Sequence, residues 1–272
     1  MMSVDIHPTA IVDPKAELAS GVKVGPYAIV EAGSFIGENS VIHHHAFIGK
    51  GARIGKNCQV HHAAVVSNVP QDLKFKGTEE TFAEIGDNTV IREFATVHRA
   101  TVHSATTNAG THDGVTRVGK NCLIMCYTHI AHDCFVGDEV IISNAVQVAG
   151  HVTIEKWATI GGGCLVHQFS LIGALAMIGG GAQVRKDIPP YSLSGGADVR
   201  FSGINKIGLQ RRGSTPEAIQ SVKSAYTTLY HSGLNIGSAV AKLKEMDEYQ
   251  SSEVQHIVSF IESSKRGVIG AA

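Results

Sequence analysis

Aliphatic side chains recur at every sixth residue along most of the chain. In steps of six, each position is Ile, Val or Leu over residues 6–66, 85–97 and 118–184. A period of six suits neither an α-helix nor a simple alternating strand. It predicts a chain that turns a corner every six residues and points one β-branched side chain inward from each flat face. Three hexads, one for each face, close one coil, so the pattern predicts a left-handed parallel β-helix of hexapeptide repeats.

The six-residue register is interrupted twice and then stops. We expect loops to leave the coil at about residues 67–84 and 101–117. The coil is predicted to end near Pro189 and Pro190, since consecutive prolines remove backbone donors. The first domain is therefore expected to be a β-helix at residues 1–190.

Helical signals follow the prolines. The segment Ser214-Thr215-Pro216-Glu217 has the form of a capping box with Pro in the first turn, and it predicts a helix that continues to about Tyr230. Two more helices are predicted near residues 236–248 and 252–264. The second domain is therefore expected to be small and α-helical, at residues 191–272.

Glycine and cysteine also follow the register. Glycine comes directly after many of the aliphatic positions, where we expect it to relieve the steric cost of sharp corners. Four cysteines lie four residues after an aliphatic position and are predicted to be small buried apolar groups; they are Cys58, Cys122, Cys134 and Cys164. Cys126 falls elsewhere in its hexad. Disulfides are not expected, and a metal site built from these thiols is the weaker alternative.

Composition narrows the class of protein. The chain of 272 residues is 43% hydrophobic and 17% charged, as in ordinary globular proteins, and its net charge of -1 argues against a general nucleic-acid binder. The N-terminus lacks the basic and apolar regions of a signal peptide, and no apolar run is long enough to span a membrane. A cytoplasmic protein is therefore expected.

Addition of 18, the length of three hexads, identifies residues that lie above one another in successive coils. His132, Gly150 and Gln168 share one column, and Asp133 and His151 share the next. The predicted patch comprises His132, Asp133, Gly150, His151, His167 and Gln168, with His129 three residues before His132. Residues far apart in sequence are thus expected to form one cluster.

This patch could supply a general base and an oxyanion donor. An imidazole beside a carboxylate, as in His132 and Asp133, is the usual general-base arrangement, and the N–H of Gly150 could stabilise an oxyanion. Zinc bound at His129-x-x-His132 is an open alternative for this patch. The other clustered histidines are interpreted as solvated groups on outer faces; they are His43, His44, His45, His61 and His62.

Eight short segments resemble one known family. They are QDLKFKG at 71–77, IRE at 91–93, VHRAT at 97–101, HIAHDC at 129–134, AGH at 149–151, VHQF at 166–169, DIPPY at 187–191 and GLQRRG at 208–213. The chain resembles the UDP-N-acetylglucosamine O-acyltransferases of lipid A biosynthesis over essentially its whole length. The resemblance implies transfer of a 3-hydroxyacyl chain from acyl carrier protein to the sugar 3-hydroxyl by a homotrimer without cofactor or metal.

The resemblance also implies roles for individual residues. His132 would be the general base, Asp133 its orienting partner and Gly150 the oxyanion donor. Gly180 would limit the length of the acyl chain. Substrate-binding roles are implied for Gln71, Asp72, Lys74, His98, His129, His151, His167, Gln168, Asn205, Arg211 and Arg212. Residues 185–212 hold six basic and two acidic side chains, which suits phosphate and the acidic acyl carrier protein.

The sequence departs from the family in two places. Ile207 stands where the family commonly has Glu near the nucleotide, and the second loop, around residues 104–114, is longer than usual. Three alternative functions are open: the related N-acyltransferase, acylation of a 3-amino sugar nucleotide, and a β-helix scaffold without chemistry. The N-acyltransferase carries an additional N-terminal domain, for which hexads beginning at Ile6 leave no room.

Overall fold

A left-handed parallel β-helix occupies most of the chain. The structure, a computed structural model, describes residues 3–101 and 114–272. Strands in neighbouring coils are offset by three hexads, as in the pairing of Asp5 with Lys23 and of Ile29 with Phe47. The predicted fold is therefore confirmed.

The strands form three flat faces. The first face contains β1 (Asp5–Ile6), β4 (Lys23–Val24), β7 (Val41–Ile42), β10 (Gln59–Val60), β13 (Val90–Ile91), β16 (Leu123–Ile124), β19 (Ile141–Ile142), β22 (Thr159–Ile160), β25 (Met177–Ile178), β27 (Ser192–Gly195) and β28 (Arg200–Ile204). The second contains β2 (Ile11–Val12), β5 (Ile29–Val30), β8 (Phe47–Ile48), β11 (Val65–Asn68), β14 (Thr96–His98), β17 (His129–Ile130), β20 (Gln147–Val148), β23 (Leu165–Val166) and β26 (Gln183–Val184). The third contains β3 (Glu17–Leu18), β6 (Phe35–Ile36), β9 (Ala52–Ile54), β12 (Phe82–Ile85), β15 (Val115–Val118), β18 (Phe135–Val136), β21 (Thr153–Ile154) and β24 (Leu171–Ile172).

Three edges join these faces. The first edge lies between the first and second faces, the second edge between the second and third, and the third edge between the third and first. Each coil passes through all three edges, so a residue's place in its hexad decides the edge at which it lies.

The repeating aliphatic residue points into the coil. From Val24 onward every such residue is buried, and four of the five cysteines are buried with them. Ile6 is 44% exposed and Val12 and Leu18 are half-buried, because the first coil has no coil beneath it. The predicted core is confirmed.

The glycines directly after the aliphatic positions have a different role from the one predicted from the sequence. The corner residue with positive φ lies three positions after the aliphatic residue, as at Asn39 (φ 59°) and His45 (φ 58°). The glycine directly after the aliphatic residue instead allows two coils to approach closely. A Cβ on Gly37 would lie 2.6 Å from the carbonyl carbon of Gly55 in the next coil. The expectation that these glycines relieve corner strain is therefore wrong.

Both insertions leave the coil at the second edge. The first connects β11 to β12 through residues 69–81, and Gln59 pairs across it with Val90 in the next coil. The second separates β14 from β15, and Val90 pairs across it with Leu123. Residues 102–113 of the second insertion, including most of the unusual segment at 104–114, lie outside the described residues.

The C-terminal part begins with a hairpin rather than with helices. β27 pairs with β25 and β28 pairs with β27, so that the first face continues beyond Pro190. The helices follow as α1 (Lys206–Arg211), α2 (Pro216–His231), α3 (Ile236–Glu245), the 3-10 helix Asp247–Gln250 and α4 (Ser252–Ser263). Helix α1 was not predicted, and α2 is capped by the Thr215 side chain rather than by that of Ser214. None of the described helices combines the length and apolar character needed to cross a membrane.

Candidate active site

A cavity of about 560 Å³ lies on the second face beside the second edge. It spans four coils, from β17 to β26. Its walls include six of the predicted site residues: Gln71, His129, His132, Gly150, His167 and Gln168. The structure therefore brings the core of the predicted patch together.

His132 and Asp133 form a hydrogen-bonded pair at the second edge. The Nδ1 atom of His132 lies 2.8 Å from Oδ2 of Asp133. The Asp133 side chain is 6% exposed and that of His132 is 13% exposed. Because the carboxylate can only accept, the neutral form of the ring has its proton on Nδ1 and its lone pair on Nε2. Nε2 is thus the atom able to accept a proton.

Gly150, in the following coil, lies directly against the His132 ring. A Cβ at this position would be 2.7 Å from Cε1 and 2.9 Å from Nε2 of His132, so that any larger residue would displace the imidazole. The Gly150 N–H takes part in no backbone hydrogen bond within the described parts of the chain. Pro8 and Pro26 occupy the same position of their hexads, which shows that the coil does not need this donor. The N–H is therefore available to a ligand.

Three more histidines surround this pair. The His151 ring packs edge-on against His132 at 5.1 Å and stacks on Phe169 at 4.6 Å. His98, in the preceding coil, packs edge-on against His129 at 4.8 Å, and Nδ1 of His129 lies 2.7 Å from Oγ1 of Thr96. Burial and the neighbouring His129 and His132 lower the pKa of His98 to about 4, and burial also lowers the pKa of His129. These two rings are therefore neutral near pH 7.

The zinc alternative at His129 and His132 is not supported by the geometry. In the described part of the chain, the ligand atoms that lie together are instead those of His132, Asp133 and His151, within 4.8 Å of one another. The imidazole–carboxylate hydrogen bond of 2.8 Å accounts for the closest of these approaches without an ion.

The first insertion contributes one predicted residue to the cavity. Gln71 lines it, whereas the Asp72 carboxylate accepts a hydrogen bond from the Lys74 backbone N–H at 2.9 Å. The Lys74 side chain is exposed, and Leu73 projects fully into solvent. Within one chain, Asp72 and Lys74 do not line the cavity.

The predicted nucleotide-binding residues lie elsewhere on the same chain. The Arg212 guanidinium pairs with Glu139 and lies 5.0 Å from the Trp157 ring centroid, at the third edge. Asn205 caps α1 by accepting from the Gly208 N–H and donating to the Leu175 carbonyl oxygen. Arg211 is exposed. One chain alone therefore separates these three residues from His132.

Gly180 lies at the first edge rather than at the edge of His132. A Cβ at this position would be 3.1 Å from the Gly162 carbonyl oxygen in the coil before it. Gly180 does not line the cavity, but it precedes by three residues Gln183, which does. It therefore adjoins the end of the cavity that is far from His132.

A larger cavity, of about 750 Å³, lies on the third face against α4. It contains His256, whose Nδ1 lies 2.9 Å from the Tyr191 hydroxyl and whose Nε2 lies 3.0 Å from the Glu155 carboxylate. Both ring nitrogens are engaged, so His256 anchors α4 to the coil and has no free nitrogen for proton transfer. The smaller cavity is the better candidate on chemical grounds.

Several residues around the pair were not predicted from the sequence. Thr101 and Thr116 bond to Asp133, and Thr96 bonds to His129. Addition of 18 could not find Thr96 or Thr101, because the second insertion changes the offset between coils from 18 to 33. Thr116 lies after the insertion, 17 residues before Asp133, and so stands one position away from the column of Asp133. Gln147, Gln183 and Arg185 also line the cavity. The positions of these three residues in hexads of the second face could have predicted that they line the cavity.

Known proteins resemble this chain over nearly its whole length. A family model described as Udp N-acetylglucosamine O-acyltransferase, Domain 2, matches residues 187–269. The chain is 49% identical over 267 residues to the acyl-[acyl-carrier-protein]–UDP-N-acetylglucosamine O-acyltransferase of Burkholderia mallei (strain SAVP1), with 97% of this chain and 98% of the relative covered. It is 46% identical, with the same coverage, to the protein of that name from Janthinobacterium sp. (strain Marseille).

Solved structures show the same relationship. The UDP-N-acetylglucosamine acyltransferase of Francisella novicida superposes with a TM-score of 0.91 at 36% identity, over 97% of this chain and 94% of that one. The UDP-N-acetylglucosamine O-acyltransferase of Moraxella catarrhalis superposes with a TM-score of 0.90 at 38% identity, over 97% and 99%. The chain is thus an acyltransferase that belongs to the UDP-N-acetylglucosamine O-acyltransferase family.

Proposed function

We propose that this protein transfers a 3-hydroxyacyl chain from acyl carrier protein to the 3-hydroxyl of UDP-N-acetylglucosamine, the first step of lipid A biosynthesis. The observation that carries the proposal is the buried His132–Asp133 hydrogen bond of 2.8 Å beside the Gly150 N–H, in a cavity of a chain from this family. All five cysteines are free thiols, which fits a reducing compartment, and we propose that the reaction takes place in the cytoplasm.

The proposed chemistry needs one base and one anion donor. Nε2 of His132 takes the proton of the sugar hydroxyl while the oxygen attacks the thioester carbon, and Asp133 stabilises the imidazolium that forms. The negative charge on the carbonyl oxygen is met by the Gly150 N–H. The C–S bond then breaks, the thiol of the carrier takes the proton from His132, and the ester remains on the sugar.

The acyl chain is proposed to lie along the second face. Three coil spacings separate His132 from Gln183 and Arg185, about 14 Å at roughly 4.8 Å per coil. An extended chain of about twelve carbons covers that distance at roughly 1.25 Å per bond. Gly180 adjoins the end of this path, so a small residue there leaves room for a longer chain.

A homotrimer is proposed to complete the site. Arg212 lies at the third edge and His132 at the second, so a threefold assembly in which the second face meets a neighbour's first face brings the two edges together. Exposed apolar residues support this choice. Among the described residues, nine lie on the first two faces or their shared edge: Ile6, Ile11, Tyr27, Ile29, Phe94, Tyr127, Ile141, Leu165 and Met177. Phe35 is the one on the third face.

Residues 185–212 are proposed to receive the acyl carrier protein. Arg185 lines the far end of the cavity, and the surrounding stretch has a net charge of four positive units. Positive charge attracts an acidic partner before contact is made and falls in effect as salt rises. Asn205, Arg211 and Arg212 are proposed to bind the uridine and diphosphate of the neighbouring site. In the first insertion, Asp72 is proposed to hold the sugar hydroxyls of a neighbour's site, with Lys74 beside the sugar or phosphates.

The test is an assay with 3-hydroxyacyl carrier protein and UDP-N-acetylglucosamine, followed by mass spectrometry. We expect acylated sugar nucleotide from the wild type, and mild base should cleave it because the new bond is an ester. The same assay is run with a 3-amino sugar nucleotide, and a base-stable product formed with that acceptor alone would indicate an amide and hence an amino sugar as the natural acceptor. Absence of product with either acceptor would leave the scaffold interpretation.

Replacement of the base tests the assignment of His132. The variant His132→Ala should lose about 100- to 10,000-fold in kcat while its circular dichroism stays native, since general-base loss typically has that effect. His256→Ala is the matched control, because both nitrogens of that ring hold structure rather than a proton path. A His132→Ala enzyme with near-normal turnover would contradict the proposal.

A further inference from the structure

The two ends of the second insertion meet at Asp133. Thr101, immediately before residues 102–113, donates its hydroxyl to Oδ2 of Asp133 at 2.7 Å and its backbone N–H to Oδ1 at 3.1 Å. Thr116, in β15 after those residues, accepts the Asp133 backbone N–H on its hydroxyl oxygen at 2.8 Å. Both threonines are buried. The chain therefore holds one aspartate from both sides of the insertion.

The Asp133 carboxylate has a fixed orientation as a result. The same oxygen, Oδ2, accepts the Thr101 hydroxyl and the Nδ1–H of His132. Its backbone is held at a φ of 59°, which non-glycine residues rarely adopt. An Asp terminal torsion is otherwise broad, so the two Thr101 donors decide where the remaining lone pair points. That lone pair is directed at the histidine.

We propose that Thr101 is a positioning residue for the general base. It acts through Asp133, by holding the carboxylate in the orientation that keeps the proton of His132 on Nδ1 and leaves Nε2 basic. The inference rests on the proposed role of His132 as the base. It also gives the start of the second insertion a function, because Thr101, where the chain leaves the coil, holds the Asp133 carboxylate by hydrogen bonds.

The competing interpretation is that Thr101 only satisfies a buried carboxylate. Buried polar groups are generally hydrogen-bonded, and a purely structural threonine would affect stability when replaced. The two interpretations differ in what else changes. A structural role predicts a loss of stability with catalysis intact, whereas a positioning role predicts a change in the tautomer of His132 and in kcat.

The first test compares three variants. Thr101→Val removes the hydroxyl but retains the shape and the backbone donor, and we expect kcat to fall about 10- to 100-fold with KM within about threefold, as for loss of a hydrogen bond to a charged group. Thr101→Ser should restore the rate to within about threefold, because it returns the donor. Thr89→Val is the matched control: Thr89 is also buried, with its hydroxyl donating 2.7 Å to the Gly119 carbonyl oxygen, away from the pair. Its kcat should stay near that of the wild type.

The second test does not depend on turnover. In protein labelled with ¹⁵N-histidine, the His132 signals are those lost in His132→Asn, and ring ¹⁵N shifts distinguish a protonated nitrogen from one with a lone pair. We expect a single Nδ1–H tautomer in wild type and Thr101→Ser, and a mixture in Thr101→Val. If Thr101→Val does not fold, Thr101→Ala serves in both tests.

The outcomes separate the two proposals. Near-normal kcat in Thr101→Val, or an unchanged tautomer, would overturn the positioning role even if His132→Ala is inactive. Failure of the wild type to acylate the proposed sugar would contradict the proposed function. In that case the nitrogen spectra would still decide whether Thr101 sets the state of His132.

Discussion

At the scale of single residues, His98 shows how the site keeps its imidazoles neutral. The residue is 4% exposed, and its Nδ1 has no hydrogen-bond partner among the described residues. Burial and the nearby His129 and His132 lower its pKa to about 4. A charged His98 would be unpaired in a site that already contains the base, so the environment that lowers its pKa also protects His132 from a neighbouring positive charge.

This burial predicts acid sensitivity of the fold. As pH falls below about 6.5, an unfolded His98 gains a proton while the folded one stays neutral until about pH 4, so stability falls across that window, by at most about 3 kcal/mol from this residue. His98→Phe should therefore lose less stability between pH 7 and pH 5 than the wild type in chemical unfolding at fixed protein concentration. His7→Phe, at an exposed position, is the control. Equal acid sensitivity in His98→Phe and wild type would contradict the argument.

At the scale of the repeat, glycine directly after an aliphatic position sets how closely neighbouring coils approach. Gly37, Gly86 and Gly161 each follow an aliphatic residue, and a Cβ on any of them would lie within 2.6 Å of the backbone of the next coil. Gly180 is different, since its nearest neighbour across the coil, the Gly162 carbonyl oxygen, would be 3.1 Å from a Cβ. A side chain at position 180 therefore makes a tight contact rather than an outright clash, and it requires the Gly162 carbonyl to shift by a few tenths of an ångström.

The acyl-chain length should respond to a substitution of Gly180. Gly180→Met is expected to shift preference from roughly 14-carbon donors to roughly 10-carbon donors, by filling the far end of a packed groove. The measurement is kcat/KM for a series of 3-hydroxyacyl carrier proteins. Gly237→Met, in α3 with ordinary clearance around its Cβ position, should keep the wild-type profile. An unchanged profile in a folded, active Gly180→Met enzyme would remove the ruler role from this residue.

At the scale of the whole molecule, one chain carries two incomplete halves of the proposed site. The base and the Gly150 N–H lie at the second edge, and Arg212 lies at the third edge beside Trp157. A closed threefold ring repeats the same contact three times and leaves no apolar face open, whereas an isolated prism exposes Tyr27, Phe94 and Tyr127 along its first edge.

Mixed assemblies provide the test. Light scattering should give the mass of three chains at micromolar concentration. His132→Ala and Arg212→Ala should each be nearly inactive at low sugar-nucleotide concentration, the second through a raised KM. When the two variants are co-expressed, about a quarter of the sites in random trimers combine an intact His132 with an intact neighbouring Arg212, so activity should return to about that level. A monomeric mass, or no activity in the mixture, would rule out a site shared between chains.

The six-residue period determined the fold from the sequence alone, because an aliphatic residue at every sixth position can be buried throughout only if the chain coils with three faces. Since three hexads return the chain above itself, the same period also placed Gly150 next to His132 and His151 next to Asp133 in neighbouring coils. The hairpin after Pro190 and helix α1 escaped prediction, because β27 and β28 lack the hexapeptide signal and α1 is less than two turns long. Packing against the last coil determines the hairpin, and the Asn205 side-chain cap determines where helix α1 begins.

Only the tertiary structure decided how the site is held and divided. Thr101 reaches Asp133 across an insertion whose length no period encodes, and the path of the chain through that insertion sets which residues return to the second edge. The family resemblance implied Arg212 and His132 in one site of a homotrimer, and within one chain the structure places them at different edges of the prism. Sequence spacing determines height along the axis and face within a coil, and long-range packing determines what lies across an edge.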